Sequence, residues 1–277
     1  MISSQKIPGA VGEGLGWVLR NRILGPLVLA VCLLALPQGA WATSATWSGV
    51  TNFDYNALTN WVGPPVSIPG TTAAEIATFT NNGFGDVGVS AATANAVGLT
   101  FSNTADHDYT ITVANGVHQG LTGVTTTGKG VVTLTGTGTG TGTYTLTGPC
   151  TFNIGDPDQN TNVSGVITNG TGAGSLTKAG SGTLILSGSN TYSGGTTLTA
   201  GTLGIGVDSV VAGGGIASGA LGTGTLTVDS GALQAVGGDH TLANNIVNNT
   251  ELIANGAWNL TLNGVISGAG TLIEYIC

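Results

Sequence analysis

Residues 174–206 read GSLTKAGSGTLILSGSNTYSGGTTLTAGTLGIG and contain one charged side chain, Lys178. Three short runs alternate apolar and small polar residues between Gly-rich corners, at 183–187, 196–199 and 202–205. Such alternation is typical of a strand that buries one face. Three strands within about thirty residues, with no helical periodicity nearby, predict one coil of a β-solenoid.

The same stretch carries a family resemblance. From Leu176 to Leu203 the order is L-T-K-x-G-x-G-T-L-x-L-S-G-x-N-T-Y-S-G-G-T-T-L-x-x-G-T-L. It closely resembles the autotransporter-associated β-strand repeat, also called the passenger-associated transport repeat. Ile185 departs from that pattern, which usually has a small polar residue there. The resemblance implies a passenger region of a Gram-negative autotransporter, at the cell surface or outer membrane or released, with an outer-membrane β-barrel as its translocator.

We expect an all-β fold after a cleaved signal peptide, namely a right-handed, single-stranded parallel β-helix with three faces. Coils of roughly 20–30 residues would stack about 4.8 Å apart and give about eight to eleven coils. Weaker echoes flank the repeat. Residues 219–238 offer two more strands, with Leu226, Val228 and Leu233 as inward candidates.

The first 42 residues have the pattern of a cleaved signal peptide. Lys6, Arg20 and Arg22 form a positive region, and an apolar run follows at 23–36. The sequence AWA at 40–42 is a small-x-small cleavage signal. The apolar run is shorter than the roughly twenty residues that span a bilayer. We therefore expect an exported chain that begins at residue 43.

The chain beyond residue 42 is strongly acidic. It has two strong bases, Lys129 and Lys178, against twelve acids, so its net charge is 2 − 12 = −10. Nucleic acids and anionic membranes attract clustered Lys and Arg. The composition therefore excludes nucleic acid as a partner. An apolar fraction of 41% with regular alternation indicates a packed fold despite the 49 glycines.

Residues 43–110 are the aromatic-rich part of the chain, and a Gly/Thr/Asn-rich β-helix is expected at 111–277. The open end of a solenoid exposes apolar core and strand edges, which large aromatic rings can cover. We therefore expect residues 43–110 to form an N-terminal cap or the first coils. A carbohydrate platform is the alternative, although rings more often supply buried area. The eight rings are Trp47, Phe53, Tyr55, Trp61, Phe79, Phe84, Phe101 and Tyr109.

Residues 133–147, TLTGTGTGTGTYTLT, place threonine at every second position. Read as one strand, they present hydroxyls on one side and mostly glycine on the other. Flat threonine arrays on β-solenoids can bind ice, which leaves a ligand-binding surface open. An ice face needs the same threonines in successive coils, whereas these lie along one strand. The high β-propensity of threonine explains the tract without a ligand.

Candidates for catalysis are few. Glycoside hydrolysis needs two carboxylates about 5–10 Å apart. Asp156 and Asp158 straddle Pro157 in a turn signature, where acids usually make local hydrogen bonds. Lys178 lies inside the repeat and is expected to support a corner. We predict no catalytic residue and no enzyme.

Metal-site candidates are equally sparse. In the cluster Asp106-His107-Asp108, neighbouring side chains of a strand would point to opposite faces, which favours a solvated loop over a weak Ca²⁺ site. His118 and His240 stand alone in the sequence. Cys150 and Cys277 are too far apart for a metal motif. We predict no metal and no cofactor.

The leading hypothesis is therefore a non-catalytic surface or secreted stalk segment whose repeat aids export-coupled folding. Adhesion to host or environmental glycans or proteins would extend that role. A polysaccharide-active β-helix enzyme and a glycan- or ice-binding solenoid remain alternatives. A second repeat begins at 263–272 and breaks down at 273–277 with no barrel following, so we expect a truncated product or fragment.

Overall fold

A computed structural model of the chain describes residues 45–47, 61–62, 75–80, 85–89, 97–102, 108–137 and 142–274. Within these ranges all regular secondary structure is β-strand. The strands are β1 (Ala45–Trp47), β2 (Trp61–Val62), β3 (Glu75–Thr80), β4 (Gly85–Val89), β5 (Val97–Ser102), β6 (Tyr109–Val113), β7 (His118–Thr126), β8 (Val132–Gly136), β9 (Thr143–Ile154), β10 (Asn160–Val163), β11 (Val166–Asn169), β12 (Ser175–Ala179), β13 (Thr183–Leu186), β14 (Thr196–Leu198), β15 (Thr202–Ile205), β16 (Val210–Ala212), β17 (Gly215–Ser218), β18 (Leu226–Val228), β19 (Gly231–Ala235), β20 (His240–Leu242), β21 (Ile246–Asn248), β22 (Glu251–Asn255), β23 (Leu260–Leu262), β24 (Ile266–Ser267) and β25 (Thr271–Glu274).

Two long sheets contain most of these strands. The first has twelve, in the order β2-β1-β3-β5-β7-β9-β12-β14-β18-β21-β24, with β11 also paired to β9. The second has nine, in the order β4-β6-β8-β10-β13-β15-β19-β22-β25. The chain alternates between the sheets, and nine stacked strands enclose about eight turns. The predicted all-β, parallel β-solenoid is confirmed.

The register between coils is kept although coil length varies. In the second sheet a coil advances 19 residues where Thr183 pairs with Thr202, and 30 residues where Thr202 pairs with Ala232. Leu186 stacks on Ile205, and both are fully buried. A slip of one residue would turn every buried side chain of a strand outward, so the apolar ladders fix the register.

The strands predicted in the central stretch are confirmed. The runs at 183–187, 196–199 and 202–205 correspond to β13, β14 and β15, and each boundary agrees within one residue. The predicted inward residues of the following coil are all fully buried, namely Leu226, Val228 and Leu233.

A third, less regular face closes the coils. β9 bends, so that residues 143–146 pair with β11 while residues 149–153 pair with β12 in the next coil. Like β11, β20 and β23 each follow a strand of the second sheet and precede one of the first, and these two form a separate parallel pair. The three-faced form is therefore present, with short segments on its third face.

One coil carries an antiparallel hairpin, β16 and β17, between β15 and β18. Gly213 and Gly214 at its tip have φ of 62° and 85°, left-handed values that glycine adopts without steric cost. The hairpin accounts for the 30-residue advance of this coil. Val210 and Val211 on it are 51% and 61% exposed.

The threonine tract at 133–147 is not one strand, which corrects the sequence interpretation. Thr133 and Thr135 belong to β8 of the second sheet, whereas Thr143 and Thr145 belong to β9 of the first. The hydroxyls therefore do not form the predicted continuous row. The reason is that a coil must turn a corner within this number of residues, whatever the local alternation.

Three aromatic rings of the N-terminal region form a buried cluster. Phe79 and Phe101 stack with ring centroids 4.8 Å apart, and Tyr109 packs at 5.5 and 5.6 Å from them. All three are fully buried, so these rings contribute to the core and not to an exposed sugar platform. Side chains of the other five lie outside the described residues, namely Trp47, Phe53, Tyr55, Trp61 and Phe84. The predicted signal peptide at 1–42 also lies outside the described residues.

Candidate functional site: contacts between coils in the repeat

Asn190 joins three successive coils. Its corner places the side chain inward, where it is fully buried. The Ile167 amide of one neighbouring coil donates to Asn190 Oδ1 at 2.8 Å, and Asn190 Nδ2 donates to the Ala220 carbonyl of the other at 2.7 Å. A buried side-chain amide whose oxygen and nitrogen are both hydrogen-bonded stabilises the fold. A buried group left without its hydrogen-bond partner lowers the free energy of unfolding. Asn190 therefore works as a staple across the stack.

Tyr192 and Thr196 form a second polar link beside this staple. The Tyr192 hydroxyl lies 2.7 Å from Thr196 Oγ1, and Thr196 Oγ1 donates to the Leu221 carbonyl at 3.4 Å. Burial raises the pKa of the Tyr192 phenol well above its usual value. The phenol therefore stays protonated and can donate, which carries a relay of hydrogen bonds into the next coil.

Lys178 has a fully buried side chain that points inward from β12. Its ammonium donates to the carbonyls of Ala179 and Gly180 at 2.8 Å and of Ala200 at 3.2 Å. Burial lowers the pKa of Lys178 to about 8, while the three carbonyl acceptors act against that shift by stabilising the charged form. Lys178 thus ties the corner of its own coil to that of the next, as the sequence led us to expect.

Asn244, two coils later, is tied to the preceding coil only. This fully buried side chain donates from Nδ2 to the carbonyls of Gly222 at 3.2 Å and Gly224 at 2.7 Å. Neither Asn190 nor Asn244 was predicted from the sequence to bridge coils. The Asn-Thr-Tyr triplet within the repeat was the available signal for the first of them, although it does not name the partners.

Outward threonines form a ladder on the first sheet. Thr151 pairs with Thr177, Thr177 with Thr197, and Thr197 with Thr227, so four successive coils present a hydroxyl at the same position. The sequence interpretation placed the threonine array along one strand, whereas this array runs across the strands. Adjacent strands lie about 4.8 Å apart, which sets the spacing of the hydroxyls.

The carboxylates considered for catalysis occupy a turn. Asp156 Oδ1 accepts the Asp158 amide at 2.9 Å, and the Asp156 carbonyl accepts the Gln159 amide at 3.1 Å. These contacts are the local hydrogen bonds that turn acids usually make. This geometry favours the structural interpretation of the pair.

The metal-ligand candidates do not converge in the described ranges. Asp106 and His107 lie outside those ranges, and Asp108 accepts the Val131 amide at 2.7 Å. His118 Nδ1 lies 2.6 Å from the Thr143 hydroxyl, while His240 contacts Asp208 at 3.0 Å. Among the residues with described positions, no three His, Cys, Asp or Glu side chains gather as metal ligands would.

Cys150 is buried, and burial raises the pKa of its thiol to about 12. The thiol therefore stays protonated near neutral pH and is a poor nucleophile there. Cys277 lies outside the described residues. Across the described ranges, no helix is long and apolar enough to cross a membrane.

The fold places the chain among parallel β-solenoids, and comparison with known proteins narrows this class. Residues 176–205 match the family model described as the Passenger-associated-transport-repeat. These residues contain Lys178, Asn190, Tyr192 and Thr196, whose contacts between coils are given above. The resemblance found in the sequence is confirmed. The chain therefore contains a passenger-associated transport repeat at residues 176–205.

One curated protein is similar to part of the chain. The chain is 37% identical over 108 residues to the adhesin BmaC autotransporter of Brucella suis biovar 1 (strain 1330). The match covers 38% of this chain and 3% of that protein, so the chain spans a small part of its relative. No solved structure matches the chain significantly.

Replacing Asn190 by Ala should destabilise the stack. The Ile167 amide and the Ala220 carbonyl would both lose their buried partner, at about 1–3 kcal/mol for each group. We expect the free energy of unfolding to fall by about 2–5 kcal/mol, measured by urea unfolding followed by far-UV circular dichroism.

Asn249→Ala is the matched control, because exposed Asn249 donates to Asp229 at the surface. Its effect should stay within about 0.5 kcal/mol. Equal losses in the two variants would contradict the staple role of Asn190.

Replacing Lys178 by Met should change the pH dependence of stability. The folded chain releases the Lys178 proton with a pKa of about 8, whereas the ordinary value is 10.5. Between these pH values the unfolded state binds more protons, so stability of the wild type rises with pH relative to K178M. We expect a relative gain of about 1–2 kcal/mol in urea unfolding between about pH 7 and about pH 9.5.

The exposed lysine provides the control for this experiment. Lys129→Met removes the same charge from a solvated position, so its stability should follow the wild type across the pH range. If the free energy of unfolding of K178M shows the same pH dependence as that of the wild type, the Lys178 amine is not the group that titrates.

Proposed function

We propose that this chain is a non-catalytic, surface-exposed stalk segment of an autotransporter-like protein, and that its repeat aids folding during export. The parallel solenoid, the repeat at 176–205 and the similarity to an autotransporter adhesin support the proposal. In the full protein an outer-membrane β-barrel would be its translocator, and the segment would lie at the surface of a Gram-negative bacterium.

The observation that carries the proposal is the contact of Asn190 with two neighbouring coils. A chain that crosses a membrane unfolded must gain structure coil by coil, since each coil of a solenoid contacts mainly its neighbours. Asn190 offers an acceptor to one coil and a donor to the other. A folded coil therefore presents a polar template, besides its apolar ladder, to the next coil that emerges.

An adhesive role is a finer part of the proposal. The relative that matches over 108 residues is named an adhesin. The hairpin β16–β17 projects from the stack and exposes Val210 and Val211, which we propose as a contact point for a partner. Glycans or proteins of a host or the environment are the proposed targets.

Surface display tests the folding role. The chain is produced with its own N-terminal segment and an autotransporter barrel fused after Cys277, in a Gram-negative host. Asn190→Ala should lower the amount of passenger that external protease can reach by severalfold, because a destabilised coil is retained or degraded. Immunoblotting of intact, protease-treated cells measures this amount.

Asn249→Ala should display as the wild type does. Equal display of both variants would contradict a role of the repeat in export. Turnover of a polysaccharide by the purified chain would separately overturn its non-catalytic character.

Ice binding is a second candidate, favoured by the in-register ladder of Thr151, Thr177, Thr197 and Thr227. Thermal hysteresis of the full chain tests it. If the ladder binds ice, Thr197→Lys should remove the hysteresis, since a solvated charge interrupts the array. Thr183→Lys makes the same change on the second sheet and should preserve it. A wild type without hysteresis would eliminate this candidate.

A further inference from the structure

The hairpin β16–β17 is attached to the solenoid at both of its ends. After the hairpin, Gly219 exchanges two backbone hydrogen bonds with Asn190 of the preceding coil, at 3.0 and 3.1 Å. Before the hairpin, Ser209 contacts the following coil, where its amide donates to the Thr241 carbonyl at 2.9 Å. The position of the hairpin therefore depends on contacts with two different coils.

Side chains strengthen the contact before the hairpin. Asp208 Oδ1 accepts the Thr241 amide at 2.9 Å and lies 3.0 Å from His240 Nδ1. The Ala243 amide donates to Ser209 Oγ at 3.0 Å. Together these contacts define an anchor formed by Asp208 and Ser209 on one side and residues 240–243 on the other.

His240 faces a hydrogen-bond acceptor at each ring nitrogen. Nδ1 lies 3.0 Å from the Asp208 carboxylate, and Nε2 lies 3.1 Å from the Val236 carbonyl. A neutral imidazole has one donor and one acceptor nitrogen, whereas the imidazolium has two donors. Both contacts are therefore hydrogen bonds only when His240 carries two protons. A neutral ring would point a lone pair at one of the two oxygens.

The charged groups around this ring are negative. Asp208 contacts the ring and Asp239 precedes it in the chain, whereas β23 alongside, with the sequence LTL, brings no titratable group. The hydrogen bond from the Thr241 amide, followed by the contact with His240, holds the pKa of Asp208 below its usual value. Asp208 therefore remains a carboxylate while histidine titrates.

We propose that Asp208 and His240 form a pH-sensitive latch. Protonated His240 holds the base of the hairpin β16–β17 against the third face, and loss of its proton loosens that base. The latch is closed at mildly acidic pH and weakened as the pH rises through the range in which imidazole titrates, about pH 5 to 8.

The chain contains its own control in His118. Its Nδ1 lies 2.6 Å from the Thr143 hydroxyl, which can donate as well as accept. Neutral His118 keeps this hydrogen bond, so its titration should leave the neighbouring backbone unchanged. A histidine whose hydrogen bond does not depend on its protonation is thus available in the same molecule.

Nuclear magnetic resonance of the ¹⁵N-labelled full chain tests the latch. Side-chain nitrogen shifts report the protons on His240, and exchange of the Ser209 and Ala243 amides reports the anchor. From about pH 5.5 to about pH 8, protection of these amides, corrected for intrinsic exchange, should fall about two- to fivefold, the range of exposed ion pairs.

His240→Gln and Asp208→Asn should each flatten this pH dependence. The Asn variant keeps an acceptor for the Thr241 amide, so it tests the charge without removing that contact. His118→Gln should retain the full dependence. Wild-type protection that stays constant while His240 loses its proton would overturn the latch, as would an unchanged pH dependence in Asp208→Asn.

Discussion

The register between successive coils is the constraint on which the rest of this structure depends. Each coil is too small to bury its apolar face alone, so its stability lies in the contact with its neighbours. Parallel strands place like residues over like residues, as Leu186 over Ile205 shows. Coils of 19 and of 30 residues keep the same register because extra residues leave the stack at corners, as the hairpin β16–β17 does.

Buried polar groups make the register between coils more specific. An apolar ladder tolerates exchange among residues of similar size, whereas Asn190 accepts from one defined amide and donates to one defined carbonyl. Lys178 similarly meets three carbonyls that belong to two corners. Burying such groups costs desolvation energy, which their hydrogen bonds offset. Their contribution is then mainly to specify which coil packs on which neighbour.

The inward side chains are needed to pack the coils on one another. Residues that could bind a partner therefore lie on the outer surface. The first sheet presents the threonine ladder, and the third face carries the hairpin with Val210 and Val211. These two features differ in origin. The ladder follows from register, since any outward residue that recurs in each coil becomes a row. The hairpin follows from an insertion, which a solenoid accepts wherever the loop can leave the stack without disturbing the ladders.

The sequence by itself determined the β-solenoid class, the strands of the central coil and the inward residues of the following coil, because alternation with a period of two is local. It also determined the family resemblance at 176–205. The tertiary structure alone decided which residues meet between coils. Asn190 reaches Ile167 and Ala220, and Asp208 meets His240 thirty-two residues away. It also split the tract at 133–147 between two sheets and aligned threonines from four separate coils. The physical reason is that these pairings depend on the lengths of all the corners together, which the alternation within a single strand does not record.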